Sequence, residues 1–208
     1  MLPRIIDSHV HIFDTCHLQQ LKWMTPGHLL NAPHPPSVYA ASITTPISGY
    51  IFIEADHAYP TPLAAETLAH PLEELEYAFS LRNHHPPLLG IVPFAPVPLG
   101  SRGMDAWWAQ VSPEASQMVK GVRYLVQDKP HGTMLKPDFV DGVRWVLRRG
   151  WAFDLGIDLR SAGKWQGEEA VKMLEAVYSD EDLEERGWIV VSKFTSFLAP
   201  TLLSRCLG

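Results

Sequence analysis

Apolar residues along this chain fall into two rhythms. Short runs dominated by β-branched and aromatic residues, at 5–14, 49–55, 88–95, 118–127, 151–158 and 188–191, have the length and content of strands. Between them, 71–82, 104–111, 137–149 and about 168–178 carry apolar residues three and four apart, the spacing of a helix with one buried face. The helix over 137–149 is the best marked, with Pro137 at its start, Asp138 in the first turn, and Phe139, Val143, Val146 and Leu147 on one face. Arg148 and Arg149 close it before Gly150, so the charges suit the helix dipole and a glycine stands where a helix ends. The stretch 71–82 reads the same way: Leu72, Leu75, Ala78 and Phe79 form its apolar face, with acids early and Arg82 late.

The second strand, 49–55, is apolar almost throughout until Glu54, as expected of a strand covered on both faces in a parallel sheet. Alternation of strands and helices specifies such a sheet, joined by right-handed crossovers. A doubly wound sheet would place a glycine-rich phosphate loop after the first strand, and none follows 5–14. Polar residues instead close several strands: His11, Glu54, Gln127 and Asp154. That is the layout of a TIM-like barrel, whose chemistry is assembled at the strand C-termini. Residues 14–48 interrupt the alternation with Pro26, Gly27, Pro33, Pro35, Pro36 and Pro46. This insertion is too long for a turn and is expected to act as a lid, with Trp23 and Tyr39 shielding the site and a short helix starting at 35–41.

The densest chemistry lies in the first strand. A period of two places Asp7, His9 and His11 on one face, so that two imidazoles converge on one volume. Such a pair can hold a divalent metal such as Zn²⁺ or a substrate's oxygens, and it also occurs as two hydrogen-bonded histidines of an ordinary buried strand. Two imidazoles under-coordinate zinc, and a third ligand would have to come from Glu54, Asp154 or the insertion, so weak or no metal binding is expected. In the fourth strand Arg123 shares a face with Val119, Gly121, Leu125 and Gln127. A guanidinium among apolar neighbours belongs either to an ion pair or to a bound ligand.

Charge and composition narrow the partners. The 208 residues suit one domain, and a net charge of -6 without a basic run argues against nucleic acid and anionic membranes and for a small-molecule substrate. Cys16 and Cys206 lie almost the whole chain apart and no signal peptide is evident, which points to a reducing, cytoplasmic setting. No apolar run reaches the ~18 residues of a membrane-spanning helix. Composition leaves the oligomeric state open.

Three segments carry a resemblance: Asp7-Ser8-His9-Val10-His11; Gly90-Ile91-Val92-Pro93-Phe94-Ala95-Pro96; and Lys120 through Pro130 with Phe153-Asp154-Leu155-Gly156 downstream. Together they resemble the amidohydrolase superfamily, and within it the amidohydrolase-related, lactonase-like group, over about residues 3–185. The resemblance implies hydrolysis of a sugar lactone or similar cyclic ester on a (β/α)8 barrel. It implies that His9 and His11 either ligate a divalent metal or, in metal-independent members, contact the scissile carbonyl. It implies that Arg123, with Gln127 beyond it, binds substrate. In that family the reaction also uses a histidine at the end of strand six and an aspartate at the end of strand eight, and this sequence shows neither: Val190-Val191-Ser192-Lys193 stands at the first position. Glu54 and Asp154 are then the carboxylates left to act as base. A whole barrel takes roughly 250 residues, so the expectation is a single incomplete barrel of about five or six βα units with an atypical tail over about 186–208. A catalytically inactive fragment, or a binding or scaffold protein with an open barrel edge, is the competing expectation.

Overall fold

Strand order decides between the two parallel α/β architectures, and here it is monotonic. The computed structural model describes residues 5–160, 163–179 and 187–193. Its strands are β1 (Ile6–Val10), β2 (Gly49–Ile53), β3 (Leu88–Val92), β4 (Gly121–Leu125), β5 (Ala152–Ile157) and β6 (Trp188–Lys193). All ladders are parallel, in the order β1-β2-β3 and β4-β5-β6. The two triplets are joined by parallel bridges from Ile91 to Val119 and from Phe94 to Arg123. Two residues on the β3 side span three on the other, as Lys120 donates to the Ile91 carbonyl at 3.0 Å and Arg123 to the Pro93 carbonyl at 2.8 Å. Each strand thus lies beside its predecessor, as in a barrel, whereas a doubly wound sheet reverses direction at a switch point.

The helices are α1 (Pro36–Ser42), α2 (Ala69–Ser80), α3 (Gly100–Trp108), the single turn α4 (Pro113–Ser116), α5 (Pro137–Arg148) and α6 (Trp165–Tyr178). The strand and helix periods read from the sequence therefore correspond to elements, with ends shifted by a few residues. The strand-six expectation is met by β6, while 194–208, including Phe197, Leu198, Leu202, Leu203 and Cys206, lies outside the described residues.

Two apolar layers hold the helices to the sheet. Leu75, Ala78 and Leu81 pack on Val10, Ile12, Tyr50 and Phe52. Phe139, Val143, Val146 and Leu147 of α5, with Met173 and Val177 of α6, pack on Val122, Tyr124, Phe153 and Leu155. Burial of those outward strand residues leaves the alternate ones facing the sheet's other side, which puts Arg123 and Asp154 together on the inner face. Gly142 lets α5 approach closely: a Cβ there would stand 2.1 Å from the Val97 carbonyl oxygen.

Candidate active site

The first strand does not keep its period of two. Asp7 pairs with Tyr50 and Val10 with Phe52, so one extra residue is accommodated between Asp7 and Val10 as a bulge. An extra residue reverses the alternation beyond it. Val10 and Ile12 join Tyr50 and Phe52 in the outer layer, and His9 and His11 turn inward. Asp7, expected beside them, faces the other way: its Oδ2 accepts the Tyr39 hydroxyl at 3.1 Å, and the Tyr39 ring lies 5.2 Å from that of Tyr50. The two imidazoles meet edge to face with ring centroids 4.9 Å apart. His9 is exposed and His11 half-buried, so the pair stands at the rim of the site.

Below the rim lies an ion cluster. Arg123, 1% exposed, sits with its Nε 3.4 Å from Asp154 Oδ2 and 3.6 Å from Glu54 Oε1. Arg123 and Asp154 are register partners on β4 and β5. The sequence reading put Asp154 at the end of its strand. It is instead the third residue of β5, and the residue that follows the strand is Asp158, whose N–H donates to Gln166 Oε1 at 2.7 Å. Arg123 is thus paired with carboxylates on both sides. The Gln127 carbonyl accepts from Gln166 Nε2 of α6 at 3.2 Å.

Electrostatics follow from burial beside a fixed cation. His11 Nδ1 lies 3.0 Å from the Ile53 carbonyl oxygen. A carbonyl only accepts, so Nδ1 carries the hydrogen and Nε2 offers a lone pair to the site. Burial, then the Arg123 guanidinium and His9, push the His11 imidazole down to about 3. Burial and Arg123 also lower His9, against the pull of Asp154 and Asp7. Burial pushes the Glu54 carboxyl up to about 7, with Arg123 restraining the rise and Asp56 adding to it. At neutral pH the rim is thus uncharged, and Glu54 stands at the midpoint of its titration, as suits a proton-transfer group.

The chain leaves β2 through a tightly tied turn. Glu54 Oε2 accepts the Asp56 N–H at 2.6 Å, and Asp56 adopts a φ of 61°, a left-handed conformation that non-glycine residues seldom take. Lys22 pairs with Asp56 at 3.1 Å. From α2, Glu74 Oε1 accepts the Ala55 N–H at 2.7 Å and lies 3.5 Å from His57 Nε2. The sequence places His57 with Glu54 and Asp56 at the C-terminal end of the second strand, and gives Glu74 no role of its own. The signal for Glu74 was available: it shares the spacing of Pro71, Leu75 and Ala78, the buried stripe of α2.

The insertion divides between two places. Trp23 Nε1 donates to the Ala55 carbonyl at 2.8 Å, Leu21 bridges to His57, and Phe13 bridges to His34, so its first half straps the turn that carries Glu54. Its second half, α1 with Tyr39, lies outside β1 against Asp7 and Tyr50. The expectation that Tyr39 covers the site is corrected accordingly.

A zinc ion fits this set poorly. Among the described residues no three His, Cys, Asp or Glu side chains are grouped to hold a metal ion. The two carboxylates nearest the imidazoles are turned onto Arg123, whose positive charge also opposes a dication.

Comparison with known proteins places this geometry. No family model matches the chain. Over 195 residues it is 32% identical to L-rhamnono-gamma-lactonase of Scheffersomyces stipitis, a match covering 84% of this chain and 57% of that protein. The chain is therefore similar over most of its length to a lactonase, in keeping with the resemblance carried by its motifs. Among solved structures, a probable 2-pyrone-4,6-dicarboxylic acid hydrolase of Acinetobacter baumannii superposes with a TM-score of 0.51 at 14% identity, covering 91% of this chain and 58% of that one. A putative 2-pyrone-4,6-dicarboxylic acid hydrolase of Pseudomonas putida gives 0.51 at 17% identity, covering 92% and 57%. At such identities these likenesses establish the fold alone, that of amidohydrolase-type barrels with parallel strands. The chain spans somewhat over half the length of each of these relatives. No helix among the described residues is long and apolar enough to cross a membrane.

Proposed function

We propose that this chain carries part of the active site of a hydrolase that opens a sugar lactone or similar cyclic ester, on about five or six of the eight βα units of a barrel. The supporting observation is the convergence of an uncharged imidazole pair with a buried Glu54–Arg123–Asp154 cluster, in a chain 32% identical to a lactonase. Hydrolysis needs a proton taken from attacking water, charge stabilised on the carbonyl oxygen, and a proton returned to the leaving ring oxygen. Glu54, titrating at about 7, is suited to take and return that proton. His11 Nε2, a lone pair held in place by the Ile53 bond, orients the water by accepting one of its hydrogens, and its lowered basicity leaves the proton to Glu54. His9, on the open side of the rim, is the imidazole available to donate to the carbonyl oxygen. Arg123 supplies positive charge from below, toward the oxygen that becomes negative or toward an anionic substrate group. Trp23 and its neighbours wall the mouth, Gln127 stands further out as a substrate contact, and Asp154 holds Arg123 in line. The substrate is a small molecule, in a cytoplasmic setting, with no nucleic acid or membrane partner. Because the ligand set fits zinc poorly, no step is assigned to a metal.

The decisive variant is Glu54→Gln, which keeps the shape and removes the base. Assayed by proton release on γ- and δ-sugar lactones in a protein extended to the relatives' length, it is expected to lose about 10²- to 10⁴-fold in kcat. The parent's kcat/KM should rise about tenfold per pH unit toward pH ~7 and then level, since only ionised Glu54 takes a proton. Full activity in Glu54→Gln would remove Glu54 from the mechanism. A second reading has its own observation: the chain spans 57% of the lactonase it matches, and the strand-six histidine and strand-eight aspartate that the family resemblance implies have no counterpart in it. On that reading these residues form half a site, and turnover belongs to a protein of the relatives' length.

A further inference from the structure

At Ala55 and Asp56, in the turn after β2, each N–H and each carbonyl is met, and the partner supplied by α2 is an acid. Glu74 lies on the stripe of Pro71, Leu75 and Ala78 and is buried with them. Burying an ionisable group costs free energy that a structural helix has no reason to spend. Its oxygen takes the Ala55 N–H at 2.7 Å, while the next N–H, that of Asp56, goes to Glu54 itself at 2.6 Å. Consecutive amides are therefore held by two different carboxyl groups, one inside the turn and one from the helix behind it. The same turn contains Asp56 at a φ of 61°, a conformation that persists only where the surroundings over-determine it. Those surroundings are Lys22 on the Asp56 carboxylate at 3.1 Å, Trp23 on the Ala55 carbonyl at 2.8 Å and Glu74 beside His57 at 3.5 Å.

We propose that Glu74 is a positioning residue for Glu54: through its bond to the Ala55 N–H it pins the turn after β2, so that the Glu54 carboxyl is held against Arg123 and kept from solvent. The role rests on the reading of Glu54 as the proton-transfer group. The groups that face Glu54 are Arg123 from β4 with Asp154 behind it on β5, Asp56 in the turn, Lys22 from the insertion and Glu74 from α2. Burial, followed by the charge of Glu54, raises the Glu74 carboxyl well above its ordinary value. Glutamine is a close replacement in shape, because its carbonyl oxygen can still accept the Ala55 N–H. Leucine or methionine fills the space and leaves that N–H without its partner.

The test is a ¹³C-carboxyl titration of the whole 208-residue chain by NMR, with the Glu54 signal assigned by its loss in Glu54→Gln. In the parent and in Glu74→Gln, Glu54 is expected to titrate near 7. In Glu74→Leu, and in Glu74→Met as a second apolar variant, it should fall by about one unit or more toward an ordinary carboxylate as water reaches it. Amide exchange at Ala55 and Asp56 should quicken by roughly tenfold or more in the same two variants. A merely structural Glu74 would change the melting temperature and leave the Glu54 midpoint in place, and that result would overturn the proposal. So would a fall in Glu74→Gln as large as in Glu74→Leu. None of these readouts requires turnover, so a catalytically silent Glu54→Gln would refute the proton-transfer reading separately from the positioning one.

Discussion

At the scale of single residues, the site is governed by one buried guanidinium. Burial sets the direction of each titration around Arg123, and the guanidinium adds to the fall of His9 and His11 while it restrains the rise of Glu54. Away from the rim, His57 is pushed down to about 3, first by burial and then by the nearby His17 and His70. A histidine whose folded pKa lies below its unfolded value of 6.5 gives stability that is present above pH 6.5 and is lost as pH falls toward 3. Glu54 acts in the opposite sense: its raised pKa favours the folded state in acid, and that contribution is lost as pH rises from 4.5 through about 7. Replacing His57 by Gln, which cannot take up a proton, should flatten the acid side of the stability curve. The difference between parent and variant should grow to roughly 4 kcal/mol at most from pH 6.5 to pH 3, read from urea midpoints at each pH. Equal acid slopes in the two proteins would show that the imidazole is protonated in place without unfolding.

At the scale of elements, two close fits matter most. The bulge in β1 turns Asp7 outward and both histidines inward, so one inserted residue decides which side chains face the site. On the opposite flank, α5 crosses the segment before α3 at Gly142, where any Cβ would lie 2.1 Å from the Val97 carbonyl oxygen. Backbone cannot yield there as a flexible side chain would. Gly142→Ala should therefore destabilise the protein by about 1–3 kcal/mol despite alanine's better helix propensity, with a lower urea midpoint and an unchanged slope. A stabilised variant would mean that α5 can slide outward at little cost.

At the scale of the whole molecule, six parallel strands follow one another in chain order, in two triplets joined by bridges. Trp188, 77% exposed, and the half-exposed Val190 and Val191 of β6 are apolar positions without cover among the described residues. The chain spans 57% of the matching lactonase, so it should be compared with a version extended by the lactonase's remaining C-terminal part. The expectation is little lactone hydrolysis by residues 1–208 and measurable turnover by the extended protein, with less binding of an apolar dye once β6 is covered. Comparable turnover in both would place the complete base and oxyanion machinery within this chain, with Glu54 or Asp154 as its carboxylate.

Much of this was legible in the sequence. Alternating periods of two and of 3.6 marked six strands and the main helices, because burial on one face is written locally in residue order. The His9-Val10-His11 pair and Arg123 in an apolar strand were visible for the same reason: polar side chains in buried runs need partners. Asp7 was misplaced, since a bulge depends on how β1 registers with β2 and leaves no trace in β1 alone. Asp154 was put at a strand end because its place along β5 is fixed by pairing with Arg123 across β4, a contact between segments about thirty residues apart. Glu74 was not singled out from the early acids of its helix, although its spacing with Pro71, Leu75 and Ala78 put it on the buried stripe. Only the packing of α2 against the turn at Ala55 decided what that acid meets, because hydrogen-bond partners across elements are chosen by three-dimensional proximity and not by the order of residues along the chain.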